Sequence, residues 1–284
     1  MVKKAFTSKY KDSVLGILWS FLNPLIQLVI LTAIFSSIFQ RSIPNFPVYF
    51  MTGRLTLDFF NHATKLAMNS IKSNHGILNK IFVPRYIFAV GGICSEFINF
   101  LITIVILIII MIATHAPFYP IALLAIIPII TLVLLITGVG LILAIVATKF
   151  TDIKHLYTIF TSLLSYACAI FYPISIVPAN IRRYMELNPI YGVIAQMRSF
   201  ILYGEFPSKR LMLSTFALAM ALFIIGIYVF TTARVLLRLC PESACQTGPS
   251  LELSSRLEAG GCAVGASPGR LGSLAEPQRR RTSP

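Results

Sequence analysis

Four stretches of the chain run without a single Asp, Glu, Lys or Arg: 13–40, 97–148, 155–181 and 211–233, of 28, 52, 27 and 23 residues. An α-helix needs about 20 apolar residues to cross the hydrocarbon core of a bilayer. The longest stretch therefore holds two helices. It breaks at Thr114-His115-Ala116-Pro117-Phe118-Tyr119-Pro120, where two prolines and a polar pair predict a tight turn. Five membrane spans follow, near 21–39, 93–113, 121–147, 156–174 and 211–236. The runs are continuous rather than alternating, which excludes membrane strands.

A sixth span is predicted over 46–68, where the pattern changes. Arg54, Asp58, Asn61, His62 and Lys65 recur three or four residues apart and share one helical stripe. Leu55, Phe59, Phe60, Ala63 and Leu66 take the other side. A charge facing lipid costs several kcal/mol. The stripe must therefore meet protein or water, either as a self-satisfied Arg54–Asp58 pair or as the wall of a polar conduit.

Composition supports a membrane protein. Of 284 residues, 56% are hydrophobic and 12% charged, with mean hydropathy +0.81 and net charge +14. Soluble domains carry about 25% charged residues, so an ordinary soluble enzyme is excluded. The charge sits in the body, because residues 1–240 hold 19 Lys and Arg against 6 Asp and Glu. Residues 241–284 hold 5 Arg against 4 Glu and contain no Ile, Phe, Tyr, Trp, Met, Lys, Asn or Asp. This divides the chain into a transmembrane domain, 1–240, and a low-complexity tail, 241–284, expected to be disordered or non-native. The arginine triplet Arg279-Arg280-Arg281 in that tail reads as a solvated terminus.

The basic residues also orient the spans. Lys3, Lys4, Lys9 and Lys11 precede the first span, Lys72, Lys80 and Arg85 follow the second, and Lys149 and Lys154 follow the fourth. The turns at 40–46 and 114–120 hold only Arg41 between them. Six spans with both termini in the cytoplasm satisfy this bias. The segment 175–210 then lies outside and is discordantly basic, with Arg182, Arg183, Arg198, Lys209 and Arg210 against Glu186 and Glu205. Its prolines and apolar spacers predict a re-entrant or surface-lying helical pair.

Catalytic and nucleotide motifs are missing from the sequence. No G-x-x-x-x-G-K-[ST] loop, H-E-x-x-H or G-x-S-x-G occurs. Gly91-Gly92 and Gly138-x-Gly140 suit close helix packing. The five cysteines show no CxxC pair and no metal-ligand spacing. No metal site, cofactor or catalytic residue is expected.

Four short motifs carry a resemblance. The opening Tyr10-Lys11-Asp12-Ser13-x-Leu15-Gly16-x-x-Trp19-x-x-x-x-Pro24 resembles the entry motif of permease subunits of type-2 ABC exporters for polysaccharides. Phe59-Phe60, Asn69-Ser70-Ile71, Asn74, Leu78, Lys80, Phe82 and Pro84-Arg85 are similar to that family's first cytoplasmic loop. Lys149-Phe150-Thr151-Asp152-Ile153-Lys154-His155 is similar to its second. Tyr172-Pro173-Ile174, Val177-Pro178 and Leu187-Asn188-Pro189 resemble the outer segment before its last span. The order holds across residues 9–237. Lys9 stands where the family has Arg, and the charged Arg54 and Asp58 stand where its members are apolar or aromatic.

The resemblance implies an all-α polytopic fold with six transmembrane helices, short cytoplasmic coupling helices and a re-entrant outer segment. It implies a non-enzymatic homodimeric permease in a bacterial cytoplasmic membrane, paired with two copies of a separate ATPase that binds ATP and Mg. The cargo would be a lipid-linked polysaccharide: O-antigen, capsule or teichoic acid. Coupling to the ATPase would fall to Asn74, Leu78, Lys80, Pro84, Arg85, Asp152, Lys154 and His155. Aromatic faces suit sugar rings, so Phe59, Phe60, Tyr166 and Tyr172, with Arg54 and Asp58, are the candidate conduit residues. Three other readings remain: an ABC permease for drugs, haem or small lipids, an ATP-independent channel or transporter, and a membrane enzyme on lipid-linked sugars.

Overall fold

The computed structural model describes residues 18–39, 45–74, 84, 86–150 and 152–239. Met1–Val235 forms one compact unit, and the account below concerns it. Among the described residues the ordered elements are helical and no strand occurs. They are α1 (Leu18–Phe39), α2 (Phe46–Ser73), α3 (Tyr86–Ala113), a 3-10 turn (Pro120–Ala125) and α4 (Ile126–Lys149). Next come α5 (Ile153–Ala167), a 3-10 turn (Ile174–Ile176), α6 (Ala179–Glu186), α7 (Pro189–Arg198), a π turn (Ser199–Tyr203) and α8 (Lys209–Leu239).

Three of these segments are long and apolar enough to cross a membrane: Tyr86–Ala113, Pro120–Lys149 and Lys209–Thr232. Helix α1 adds a shorter apolar stretch, Leu25–Ile34. The turn expected at 114–120 is present. There α3 ends with His115 in the left-handed region at φ 50°, and the Ala116 amide donates back to the Met111 carbonyl at 2.9 Å. The predicted tail, 241–284, lies outside the described residues, as do Lys3, Lys4, Lys9, Lys11, Arg41 and most of the opening motif.

Helix α2 is the centre of the bundle and packs on α3, α4, α7 and α1. Its buried threonine and serine hydroxyls find partners within the helix. Thr52, Thr56, Thr64 and Ser70 each donate to a carbonyl of their own helix, at 2.7, 2.9, 2.6 and 2.6 Å. A polar side chain satisfied in this way can be buried without the desolvation penalty of a lost hydrogen bond. On the apolar side of α2, Phe59 stacks on Phe100 with ring centroids 4.7 Å apart and tilts against Phe97 at 5.9 Å.

Helix α8 meets α4 where two glycines cross. A Cβ on Gly226 would lie 2.5 Å from the Gly138 carbonyl oxygen, and one on Gly138 would lie 2.6 Å from the Leu222 carbonyl. Only hydrogen fits at either position, which is how helices reach backbone contact in membranes.

The fifth segment differs from its expectation. The charge-free pattern predicts helix over 156–174, yet α5 ends at Ala167. Ala169 takes the left-handed region at φ 49°, and the chain leaves the helix before Tyr172-Pro173. At 1.5 Å per residue the helix is about 22 Å long, short of a hydrocarbon core of about 30 Å. The chain therefore turns back and continues as the short α6 and α7.

Candidate functional site

The predicted coupling residues that can be placed gather at one end of the bundle. Asn74 closes α2, and its side-chain amide donates to the Ser70 carbonyl at 2.8 Å. Pro84 is exposed just before α3, its carbonyl accepting from the Ile87 amide at 3.1 Å. Asp152 is the exposed N-cap residue of α5, with its carbonyl accepting from the His155 and Leu156 amides at 3.0 and 3.2 Å. Its carboxylate makes no capping hydrogen bond to α5. Lys154 is half-buried and His155 exposed on the first turn. Leu78, Lys80 and Arg85 lie outside the described residues.

A small buried cluster joins these pieces. Met68 near the end of α2, Ala147 near the end of α4 and Tyr157 of α5 pack together, with Leu143 and Ile153 against them. Inside it, the Thr64 and Tyr157 hydroxyls hydrogen-bond to each other across 93 positions of sequence. Neither residue stands out in the sequence. A Tyr one turn into an amphipathic helix looks like packing until its partner is seen.

The polar stripe of α2 runs from this end toward the other. Arg54 Nε donates to Asp58 Oδ2 at 2.8 Å, and the two side chains keep 27% and 35% exposure. Lys65 and Asn61 are half-buried and His62 is exposed, so the stripe stays open along the helix. The Asn61 Oδ1 atom is buried with no hydrogen-bond partner among the described residues.

The conduit candidates separate. Arg54 and Asp58 lie on the open stripe, whereas Phe59 and Phe60 are 4% and 2% exposed in the core. Tyr166 is exposed at the end of α5. Tyr172 is half-buried beside it, and its hydroxyl donates to the Tyr166 carbonyl at 2.7 Å. The ring pattern alone does not separate these four aromatics. Packing against α3 takes Phe59 off the open face, and Phe60 is buried in the core as well.

At the start of α2 the Tyr49 hydroxyl donates to the Ala169 and Tyr172 carbonyls, at 3.3 and 3.0 Å. This ties the start of α2 to the corner after α5. The end of α5 meets the start of α2 here, and the start of α5 meets the later part of α2 at Thr64. The two helices are thus antiparallel and joined at both ends. Among the described residues no group of three or more His, Cys, Asp or Glu is gathered as a metal site would require.

Comparison with known proteins bears on this arrangement. The family model described as "ABC-2 type transporter" matches residues 1–202. An O-antigen export system permease protein, RfbA, of Myxococcus xanthus is 22% identical over 236 residues, 82% of this chain and 91% of that protein. A protein of the same name from Klebsiella pneumoniae is 24% identical over 231 residues, 81% of this chain and 89% of its own. The polysialic acid transport protein KpsM of Escherichia coli is 25% identical over 193 residues, 67% of this chain and 75% of its own.

Proposed function

Because the chain belongs to the ABC-2 type transporter family, we propose that it is the permease subunit of an ABC exporter for a lipid-linked polysaccharide, energised by a separate ATPase. Its similarity to O-antigen export permeases along nearly their whole length carries this reading. The cargo is a cell-surface polymer of that type. The protein acts in a bacterial cytoplasmic membrane as a homodimer, with two ATPase subunits docked on the cytoplasmic side. Six spans with both termini in the cytoplasm account for the positive bias of the loops, with α1, α2, α3, the Pro120–Lys149 helix and α8 as five of them and α5, completed by the protein-packed corner that follows it, as the sixth.

In this reading the end of the bundle holding Asn74, Pro84, Asp152, Lys154 and His155 faces the ATPase, together with Leu78, Lys80 and Arg85. An exposed carboxylate and a neighbouring cation at the start of a short helix suit docking into a partner groove. The open stripe of α2, from Arg54 to Lys65, forms a wall of the conduit. Polymer hydroxyls exchange hydrogen bonds with this stripe, and Tyr166 offers an aromatic face to a sugar ring. Phe59, Phe60 and Tyr172 support that wall from behind.

The test is genetic and biochemical together. A strain lacking this chain should lose its surface polymer and accumulate lipid-linked polymer on the cytoplasmic side. The tagged chain should also co-purify with an ABC ATPase from the native membrane. Normal surface polymer in the deletion strain would refute the cargo, and purification without an ATPase would refute the mechanism.

A further inference from the structure

Arg198 ends α7 with 5% exposure, in a helix otherwise free of charge. Burying a guanidinium is costly unless its donors are met. Here Nη1 donates to the Ala169 carbonyl at 3.1 Å, while Nε and Nη2 find no hydrogen-bond partner among the described residues. Compensation comes from the ring of Tyr49, with the Arg198 Cζ 3.5 Å from its centroid. Gly53, one turn further along α2, leaves the room required. A Cβ there would lie 2.7 Å from Nη2. The guanidinium thus lies over the Tyr49 ring and against Gly53 and grips Ala169, whose own backbone is held in the left-handed region. Tyr49 reinforces the grip by donating to the same carbonyl.

This knot joins three separate parts of the chain: the start of α2, the corner after α5 and the end of α7. It lies at the opposite end of α2 from Asn74. The open stripe begins at Arg54, beside Gly53, and runs between the two. Tyr49 and Gly53 lie on the buried face of α2, so the knot sets how the helix that carries the stripe on its other face stands against segment 168–204. Resting on the function proposed above, we propose that Arg198 is a positioning residue for export. It pins the segment 168–204 to α2 in the closed state, and the exit end of the conduit opens when the guanidinium lets go of the Ala169 carbonyl. The two unmade donor positions favour such an exchange. A cation already short of acceptors can take new ones as the segment moves, without a long unpaired interval.

Cys168 reports on the pin. It is fully buried, and it precedes the gripped Ala169. With Cys94, Cys240, Cys245 and Cys262 replaced by Ser, Cys168 is the only thiol. The full chain in detergent is treated with N-ethylmaleimide and labelling is followed by mass. The parent should label slowly. Arg198→Lys keeps the charge but loses the planar fork, and Tyr49→Phe keeps the ring but loses both hydroxyl contacts. Arg198→Lys should label about ten to a hundred times faster, the factor for losing one hydrogen bond to a charged group, and Tyr49→Phe about two to ten times faster, the factor for a neutral one, while both elute as folded proteins. With the partner ATPase and ATP the parent itself should label faster. In proteoliposomes Arg198→Lys should export less polymer per ATP hydrolysed, at an unchanged KM for ATP.

Equal labelling rates in parent and both folded variants would overturn the pin. Faster labelling with unchanged polymer per ATP would reduce the contact to a structural one and overturn the positioning role. A parent that exports no polymer, yet labels faster with ATP and the ATPase, would refute the polysaccharide reading and leave the pin standing.

Discussion

At the scale of single residues, the buried Thr64–Tyr157 pair shows how two partners in one contact can be worth different amounts. Thr64 Oγ1 lies 2.6 Å from the Phe60 carbonyl, so its proton has a use within α2. The Tyr157 proton is then the one directed at Thr64. Removing the tyrosine hydroxyl by Tyr157→Phe leaves no donor stranded and should cost about 1 kcal/mol. Thr64→Val keeps the shape but strands a buried phenol, at a cost of about 1–3 kcal/mol. The expected order of thermal midpoints in detergent is parent, then Tyr157→Phe, then Thr64→Val. The reverse order would show that the donor directions are exchanged. Arg198 and Ala169 follow the same logic. Each is individually unfavourable, as a buried charge and as a left-handed alanine, and each is held by the other.

At the scale of elements, α2 carries the question of what its stripe faces. Arg54 and Asp58 are paired at 2.8 Å and only partly exposed. If the stripe faced lipid, Asp58→Asn would leave Arg54 uncompensated at a cost of about 3–5 kcal/mol, and the protein would fail to accumulate. If it lines a watered conduit, the pair resembles a surface salt bridge worth under about 1 kcal/mol. The expected outcome is the second, with Asp58→Asn accumulating normally, melting close to the parent and exporting less polymer. The helices themselves were largely legible, because charge-free runs and loop prolines mark α1, α3, α4 and α8 directly. The stripe of α2 was legible from its spacing too. The early end of α5 was not, since nothing in Tyr166-Ala167-Cys168-Ala169 breaks a helix by composition. The carbonyl of Ala169 is drawn away by Tyr49 and Arg198, both distant in sequence. Burial of Phe59 was equally hidden, because its partners Phe97 and Phe100 belong to another helix. Arg198 looked like part of an unassigned basic excess. An arginine amid Ile190, Val193, Ile194 and Phe200 was the available sign that it needed a buried partner.

At the scale of the whole molecule, α2 and α5 form a brace between the two ends of the bundle. They are tied by Thr64 and Tyr157 near the coupling residues, and by Tyr49 with the Ala169 and Tyr172 carbonyls near the pin. From Tyr49 to Thr64 is about 22 Å along the α2 axis. Neither helix can slide along the other without breaking one tie. Under the proposed coupling, a push at Asp152 and Lys154, at the start of α5, reaches the corner that Arg198 holds. Coupling of this kind needs an element with two arrangements that both ends bias, and the pinned segment is the element proposed for it. The double variant Asp152→Ala with Lys154→Ala removes the handle but leaves the brace and the pin intact. It should insert normally, and in the absence of ATPase its Cys168 should label as slowly as the parent's. With ATPase and ATP present, the rise in labelling should vanish, along with the coupling of ATP hydrolysis to export. A normal ATP-dependent rise in this variant would mean that the push enters elsewhere, through the 74–85 loop, and would remove α5 from the transmission path.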